Sequence, residues 1–166
     1  PLEEPRPPAS LYDWLQRRPE SYSGDPNYTT PSSYRWRLLV PREQIERRIG
    51  EDIGRVTALI PGPRGVTGRV ESVLLRGTEG EQTVWRDAIR STLGGLRSNL
   101  FMVSPQLDEN GELEAFLFEG AGWGHGVGLC QTGAAGMAGA GYTAEEIVRH
   151  YYPRNELGKK GVDDRR

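Results

Sequence analysis

The chain has 166 residues, which makes one domain or part of one, long enough to bury a substantial core. With 21 Lys and Arg against 23 Asp and Glu, the net charge is −2 and the pI about 5.8, so charge makes no case for nucleic acid or an anionic membrane surface as a partner. Cys130 is the only cysteine, which rules out an internal disulfide and a CxxC metal site, and no run of roughly 18 apolar residues exists to span a bilayer.

Residues 1–9 carry four prolines and predict an irregular arm. The arm has no hydrophobic segment to act as a signal peptide, which leaves export open if the chain is a processed product. Ser10 can cap a short helix from Leu11 to Arg17, stopped before Pro19. Gly, Asp-Pro, Asn, Thr-Thr-Pro and Ser-Ser from Tyr22 to Ser33 predict a long loop, so residues 1–33 form an arm, helix and loop ahead of the domain proper. Tyr34 to Val40 alternates as a strand, with Tyr34, Trp36 and Leu38 on one face and Arg35 and Arg37 on the other. Pro41 suits the first position of a helix running to Ile49, where Ile45 and Ile49 repeat at i, i+4.

The middle of the chain is β. Arg55–Ile60, Arg69–Arg76 and Gln82–Arg86 predict a meander, with Pro61–Thr67 as a connector and glycine turns at Gly68 and at Gly77 to Gly80. Asp87 can cap a helix from Ala88 to Leu93, ended by Gly94 and Gly95. Leu100–Ser104 and Leu113–Phe118 flank the turn at Asp108–Gly111 and predict an antiparallel hairpin. Leu129–Ala140 predicts a helix whose three interior glycines cost about 3 kcal/mol, which close packing of a small-residue face must offset, so this helix should be buried. Thr143 to Glu146 is a capping box, and Ile147, Val148, Tyr151 and Tyr152 give the next helix an apolar face before Pro153. A charged tail occupies 158–166. The fold class is α+β: an antiparallel meander with peripheral helices and a Gly-rich strand-loop-helix, the domain spanning 34–157.

The Gly-rich element is the site. Nine of the 22 glycines lie between Gly120 and Gly141. Gly120, Gly122, Gly124, Gly126 and Gly128 alternate with Ala121, Trp123, His125, Val127 and Leu129. An extended chain would therefore be bare on one face, with Trp123 and His125 sharing the other. The alternative is a loop with positive φ at several glycines, which equally presents backbone amides to a ligand.

The segment does not fit several familiar chemistries. No register supplies G-x-G-x-x-G, since a start at Gly124 ends on Leu129 and a start at Gly126 ends on Gln131, and no GK[ST] loop is present. A Cys130–His125 nucleophile pair has no orienting acid near it in sequence, and His125, His150 and Cys130 lack a zinc spacing, so no metal and no cofactor is assigned. His125, flanked by glycines, can instead reach a ligand as a hydrogen-bond donor, or its ring can simply order the loop. Trp123 can stack on a sugar ring or pack in the core, and the four Trp and seven Tyr exceed what a small core needs. Gln131, read as a buried-side amide, can hold a ligand hydroxyl or the glycine segment itself. Glu119 is the one acid beside the segment, as a general acid or as a solvated strand-end charge.

The stretch GWGHGVGLCQTGAAGMAGAGYTAEEIVRHYYP, Gly122 to Pro153, resembles the C-terminal signature of the stage II sporulation protein D / amidase-enhancer LytB family. Tyr34-Arg35-Trp36, Thr67-Gly68-Arg69-Val70, Arg90 with Leu93-Gly94, and Leu96-Arg97-Ser98 with Phe101 follow the order that family shows. The resemblance implies an exported or membrane-anchored bacterial protein at the cell wall. It further implies a lytic transglycosylase acting on peptidoglycan glycan strands freed of stem peptides by a cell-wall amidase. On that reading Trp123, His125 and Gln131, with the backbone at Gly124, Gly126 and Gly128, line the glycan groove. The chain departs from the family in reading Leu129-Cys130-Gln131-Thr132 where members have Met-Ser-Gln-aromatic. It also lacks the V-x-x-E-M-like motif whose Glu serves as both acid and base while the sugar's own hydroxyl attacks in place of water. The resemblance is thus to the C-terminal half of the domain, so an N-terminal half of the same protein is an expected partner, and this half alone should bind without cutting. A non-catalytic cell-wall module or amidase enhancer is the alternative.

Overall fold

The computed structural model describes residues 8–17, 20–50, 52–155 and 158. Most of the expected N-terminal arm and charged tail lies outside them. The element order is α1 (Pro8–Arg17), a 3₁₀ turn (Tyr22–Gly24), α2 (Pro31–Tyr34), β1 (Arg35–Pro41), α3 (Arg42–Ile49), β2 (Val56–Pro61), β3 (Ser72–Gly77), β4 (Glu81–Trp85), α4 (Ala88–Thr92), β5 (Phe101–Leu107), β6 (Leu113–Ala121), α5 (Gln131–Gly139) and α6 (Ala144–Tyr151). The fold is α+β, with two three-stranded antiparallel sheets. The chain divides into two compact units: residues up to Glu20 with Thr30–Gly126, and Ser21–Thr29 with Val127 onward.

In the first unit β2, β3 and β4 form the expected meander, while β5 and β6 form the expected hairpin, to which β1 adds on the β6 side. Alternation on each strand sends one face inward. Trp36 and Val40 of β1, Phe116 and Phe118 of β6 and Phe101 of β5 meet Val56, Val73, Leu75 and Val84 of the meander, with Ile45 and Ile49 of α3 and Ile89 of α4 closing the same core. Phe101 and Phe118 pack edge to face, 5.4 Å between ring centres.

The outer face of the β1-β6-β5 sheet is covered too, on the side of β1 that carries Arg35. Leu11 and Leu15 of α1 pack on Leu100 and Ala121. Arg35, 8% exposed, lies beneath that helix, its guanidinium between the rings of Trp14 and Tyr34 at 4.2 and 4.3 Å. Its Nε donates to the Leu15 carbonyl at 3.0 Å and its Nη2 to the Trp14 carbonyl at 3.2 Å, satisfying acceptors at the helix C-terminal end. Alternation could not show this, because the partner helix lies 20 residues upstream. Other differences concern edges: α1 begins at Pro8 rather than after Ser10, β3 begins at Ser72 rather than Arg69, and Asp87 makes no side-chain cap to α4.

In the second unit α5 begins at Gln131 rather than Leu129, and only one face of it is buried, at Gly133, Gly136 and Met137. The glycine face is covered by the segment expected to be a long loop, which instead contains the 3₁₀ turn and, past the unit boundary, α2. A Cβ at Gly136 would overlap the Tyr22 carbonyl, one at Gly139 the Tyr28 hydroxyl, and one at Gly133 the Tyr151 hydroxyl. The small-residue face thus accepts the Tyr22 backbone and the rings of Tyr28 and Tyr151, the close packing that its glycines require. The capping box of α6 is complete: the Glu146 amide donates to Thr143 Oγ1 at 3.3 Å and the Thr143 amide to Glu146 Oε2 at 2.8 Å.

Gly136→Ala tests that packing. Ala gains about 1 kcal/mol of helix propensity, but the fixed Tyr22 carbonyl makes the overpacking cost larger, so a net destabilisation of about 1–2 kcal/mol is expected in urea denaturation. A neutral or raised midpoint would mean that Tyr22 is not seated on α5.

Candidate functional site

The site starts where β6 ends. Gly120 pairs with Trp36 across β1 and with Phe101 across β5. Its missing side chain is required, because the Trp36 indole and the Leu100 carbonyl occupy the space a Cβ would need. From that position Trp36 Nε1 donates to the Gly122 carbonyl at 3.0 Å, and the Gly122 amide donates to the Tyr34 carbonyl at 3.1 Å. One residue earlier, the buried Ser98 hydroxyl donates to the Ala121 carbonyl at 2.7 Å, and two residues later the Gly124 amide donates to the Arg97 carbonyl at 2.8 Å. The chain is therefore pinned on alternate sides as it leaves the sheet.

Beyond Ala121 it is a loop and not a ribbon. Gly122, Gly124, Gly126 and Gly128 have φ of 71°, 113°, 74° and 97°, all in the left-handed region that side chains disfavour. Of the two sequence alternatives, the positive-φ loop is the one formed, and the shared face of an extended strand for Trp123 and His125 is not. At Gly122 and Gly124 nothing lies within 4 Å of where a Cβ would be, so φ alone demands glycine there. At Gly126 the Arg69 guanidinium also occupies that space.

Trp123 is 68% exposed and His125 is exposed, so neither is core. The Arg97 guanidinium stands 5.1 Å from the centre of the Trp123 ring. Beside them is a surface depression of about 360 Å³ lined by Asp87, Arg90, Ser91, Gly95, Leu96, Arg97 and Trp123. Next to it Gly94 and Gly95, with φ of 96° and 85°, turn the chain so that the Gly95 and Leu96 amides both donate to the Arg90 carbonyl at 2.8 and 3.0 Å. Arg86, with φ of 50°, sets Asp87 at the rim, and its carbonyl accepts from Asn99 Nδ2 at 2.9 Å.

Sequence reasoning does not single out Asp87, Arg90, Ser91 and Arg97 as site residues. Asp87 reads there as a cap, and only the resemblance draws attention to Arg90 and Arg97, without a role. Glu119, the acid beside the glycine segment, is paired with Arg37 at 3.0 Å, as a strand-end charge would be. Among the described residues no group of three or more His, Cys, Asp or Glu is arranged to hold a metal ion.

Gly128 and Gln131 belong to the second unit. Gly128 leaves room for the Tyr152 hydroxyl, which accepts from the Leu129 amide at 3.0 Å. Gln131 is exposed at the start of α5, correcting its reading as a buried-side amide: the glycine face of that helix, not its first residue, turns inward. Cys130 is exposed, 3.4 Å from Thr132 Oγ1. Tyr151 lies against Gly133, where burial and then the nearby Cys130 thiolate raise its pKa to about 12.

Two outcomes check this geometry. Trp36→Phe removes the donor to Gly122 and leaves a gap at the core edge, so a loss of about 2 kcal/mol is expected, with faster hydrogen exchange at the Gly122 and Gly124 amides and unchanged exchange in β2–β4. Unchanged exchange at Gly124 would show that the indole does not pin the loop. Tyr151 holds its proton more tightly folded, at about 12, than at its ordinary 10.0. Its contribution to stability is therefore complete below about pH 10 and is lost as pH rises through about 12. Phenolate absorbance should show a tyrosine titrating at about 12 that Tyr151→Phe removes.

Residues 15–128 match the sequence model of the family described as Domain of unknown function (DUF8618). The chain is also similar to Stage II sporulation protein D of Bacillus amyloliquefaciens, 36% identical over 104 residues, covering 62% of this chain and 26% of that protein. To Stage II sporulation protein D of Bacillus subtilis (strain 168) it is 31% identical over 107 residues, covering 64% and 26%. The chain thus spans about a quarter of the length of these curated relatives. No helix among the described residues is long and apolar enough to cross a membrane. With its match running from α1 to the end of the glycine loop, the chain belongs to the DUF8618 family and is related to stage II sporulation protein D.

Proposed function

We propose that the chain is the glycan-holding part of an extracytoplasmic cell-wall protein, contributing half of a cleft for peptidoglycan strands free of stem peptides. The single observation that carries this reading is Trp123. A large indole left 68% exposed on a loop pinned by hydrogen bonds on both sides is a rigid stacking surface, the feature that sugar rings use. His125 and the amides around Gly124 and Gly126 supply polar contacts on the same loop. A full-length protein with an upstream half bearing a catalytic Glu would be a lytic transglycosylase, with a cell-wall amidase preparing its substrate.

A second reading, a non-catalytic binding module or amidase enhancer, is favoured by one observation about this chain alone. Of the carboxylates near Trp123, Glu119 is occupied by Arg37 and Asp87 stands exposed at the rim of the depression. Neither lies in the buried apolar setting of a general acid.

Co-sedimentation with peptide-free glycan strands tests the common core of both readings. Trp123→Ala should weaken binding by about tenfold without moving the melting temperature, because the ring packs little of the core. Equal binding by the variant would remove the proposal. Release of anhydro-sugar ends by the full-length protein, abolished by changing the upstream Glu, decides for the enzyme over the binding module.

A further inference from the structure

The depression beside Trp123 carries two guanidiniums against one carboxylate. Arg90 commits its Nε to the Leu96 carbonyl at 3.1 Å, and Arg97 commits one Nη1 hydrogen bond to the Ser32 carbonyl. Each has further N–H donors to offer. Among the described residues, ion pairs engage Arg17, Arg37, Arg42, Arg55, Arg76 and Arg149, and neither Arg90 nor Arg97 has a carboxylate within pairing distance, although Asp87 lines the same depression. Both are half-buried, so their charge is screened less than that of a fully solvated guanidinium. The volume of about 360 Å³ lies at the small end of ligand sites, roughly 300–1,000 Å³, and suits a single ring with its substituent.

We propose that this depression is a subsite for a carboxylate-bearing sugar: the pyranose stacks on Trp123 and Arg97, with Arg90 behind it, pairs with the carboxylate. The planar fork of a guanidinium binds a carboxylate through two parallel hydrogen bonds, which an amide cannot reproduce because it presents one acceptor and no charge. Asp87 offers the opposite recognition, accepting from a ring hydroxyl. The inference rests on the glycan-binding reading and adds charge discrimination to it. In peptidoglycan the carboxylate concerned is the lactyl group of muramic acid, which is free only where no peptide is amide-linked to it.

Titration calorimetry on the full chain tests this with three probes. They are a neutral N-acetylglucosamine oligomer, the disaccharide N-acetylglucosaminyl-N-acetylmuramic acid, and the same disaccharide with its lactyl carboxyl capped as a methylamide. The free acid should bind about tenfold more tightly than the amide, the advantage shrinking as salt rises from about 0.05 to about 0.5 M. Arg97→Gln should bring the free acid down to the level of the amide, and Arg97→Lys should retain part of the difference. If acid, amide and neutral oligomer bind alike, the carboxylate subsite is overturned and glycan binding stands. If none of the three binds, the glycan reading falls and the subsite with it. Should Arg97→Gln fail to fold through loss of its Ser32 contact, the acid–amide and salt comparisons on the unaltered chain, with Arg90→Gln, decide between the same outcomes.

Discussion

Everything at the site follows from how Trp36 lies across Gly120. The indole occupies the space of an absent side chain on the neighbouring strand, which brings its Nε1 within 3.0 Å of the Gly122 carbonyl just where the sheet ends. A large ring, a bare backbone position and one hydrogen bond therefore convert a regular strand into a loop at a defined residue. Any side chain at position 120 would push the ring away, freeing the Gly122 carbonyl and with it the direction in which Trp123 projects. Core packing and site geometry are one constraint here, because the Trp36 ring serves both.

Around that pivot, segments far apart in sequence supply complementary backbone partners. Tyr34 and Arg97 present carbonyls, Ser98 a hydroxyl, and Arg69 a guanidinium, to successive residues between Ala121 and Gly126. These are the short motifs on which the resemblance to the stage II sporulation protein D family rests, and the structure supplies their common purpose: each touches the glycine loop or the turn that holds it. The motifs read as scaffolding for a loop that carries the exposed side chains of Trp123 and His125.

The match to the relatives covers about a quarter of their length, and within this chain the boundary between units falls at Gly126. The first unit ends in the pinned part of the loop. The second begins with its remaining glycine and with α5, whose glycine face is committed to the Tyr22 backbone and the side chains of Tyr28 and Tyr151. Glycine in this stretch thus does two different jobs, permitting positive φ at 122 to 128 and permitting close helix packing at 133 to 139. Only the first sets the course of the loop that carries Trp123.

From sequence alone the meander, the β5–β6 hairpin, the α6 capping box and the glycine-rich position of the candidate site were legible, because each depends on local periodicity or on residues a few positions apart. The glycine spacing announced an unusual backbone but could not choose between ribbon and loop, since glycine tolerates both. That choice was made by partners at Tyr34, Trp36 and Arg97, brought in by strand pairing and by the turn after α4. The burial of Arg35 under α1, the exposure of Gln131 and the gathering of Asp87, Arg90 and Arg97 beside Trp123 were likewise decided by tertiary structure. A side chain's charge and size are written in the chain, but what stands opposite it depends on which distant segment folds against it.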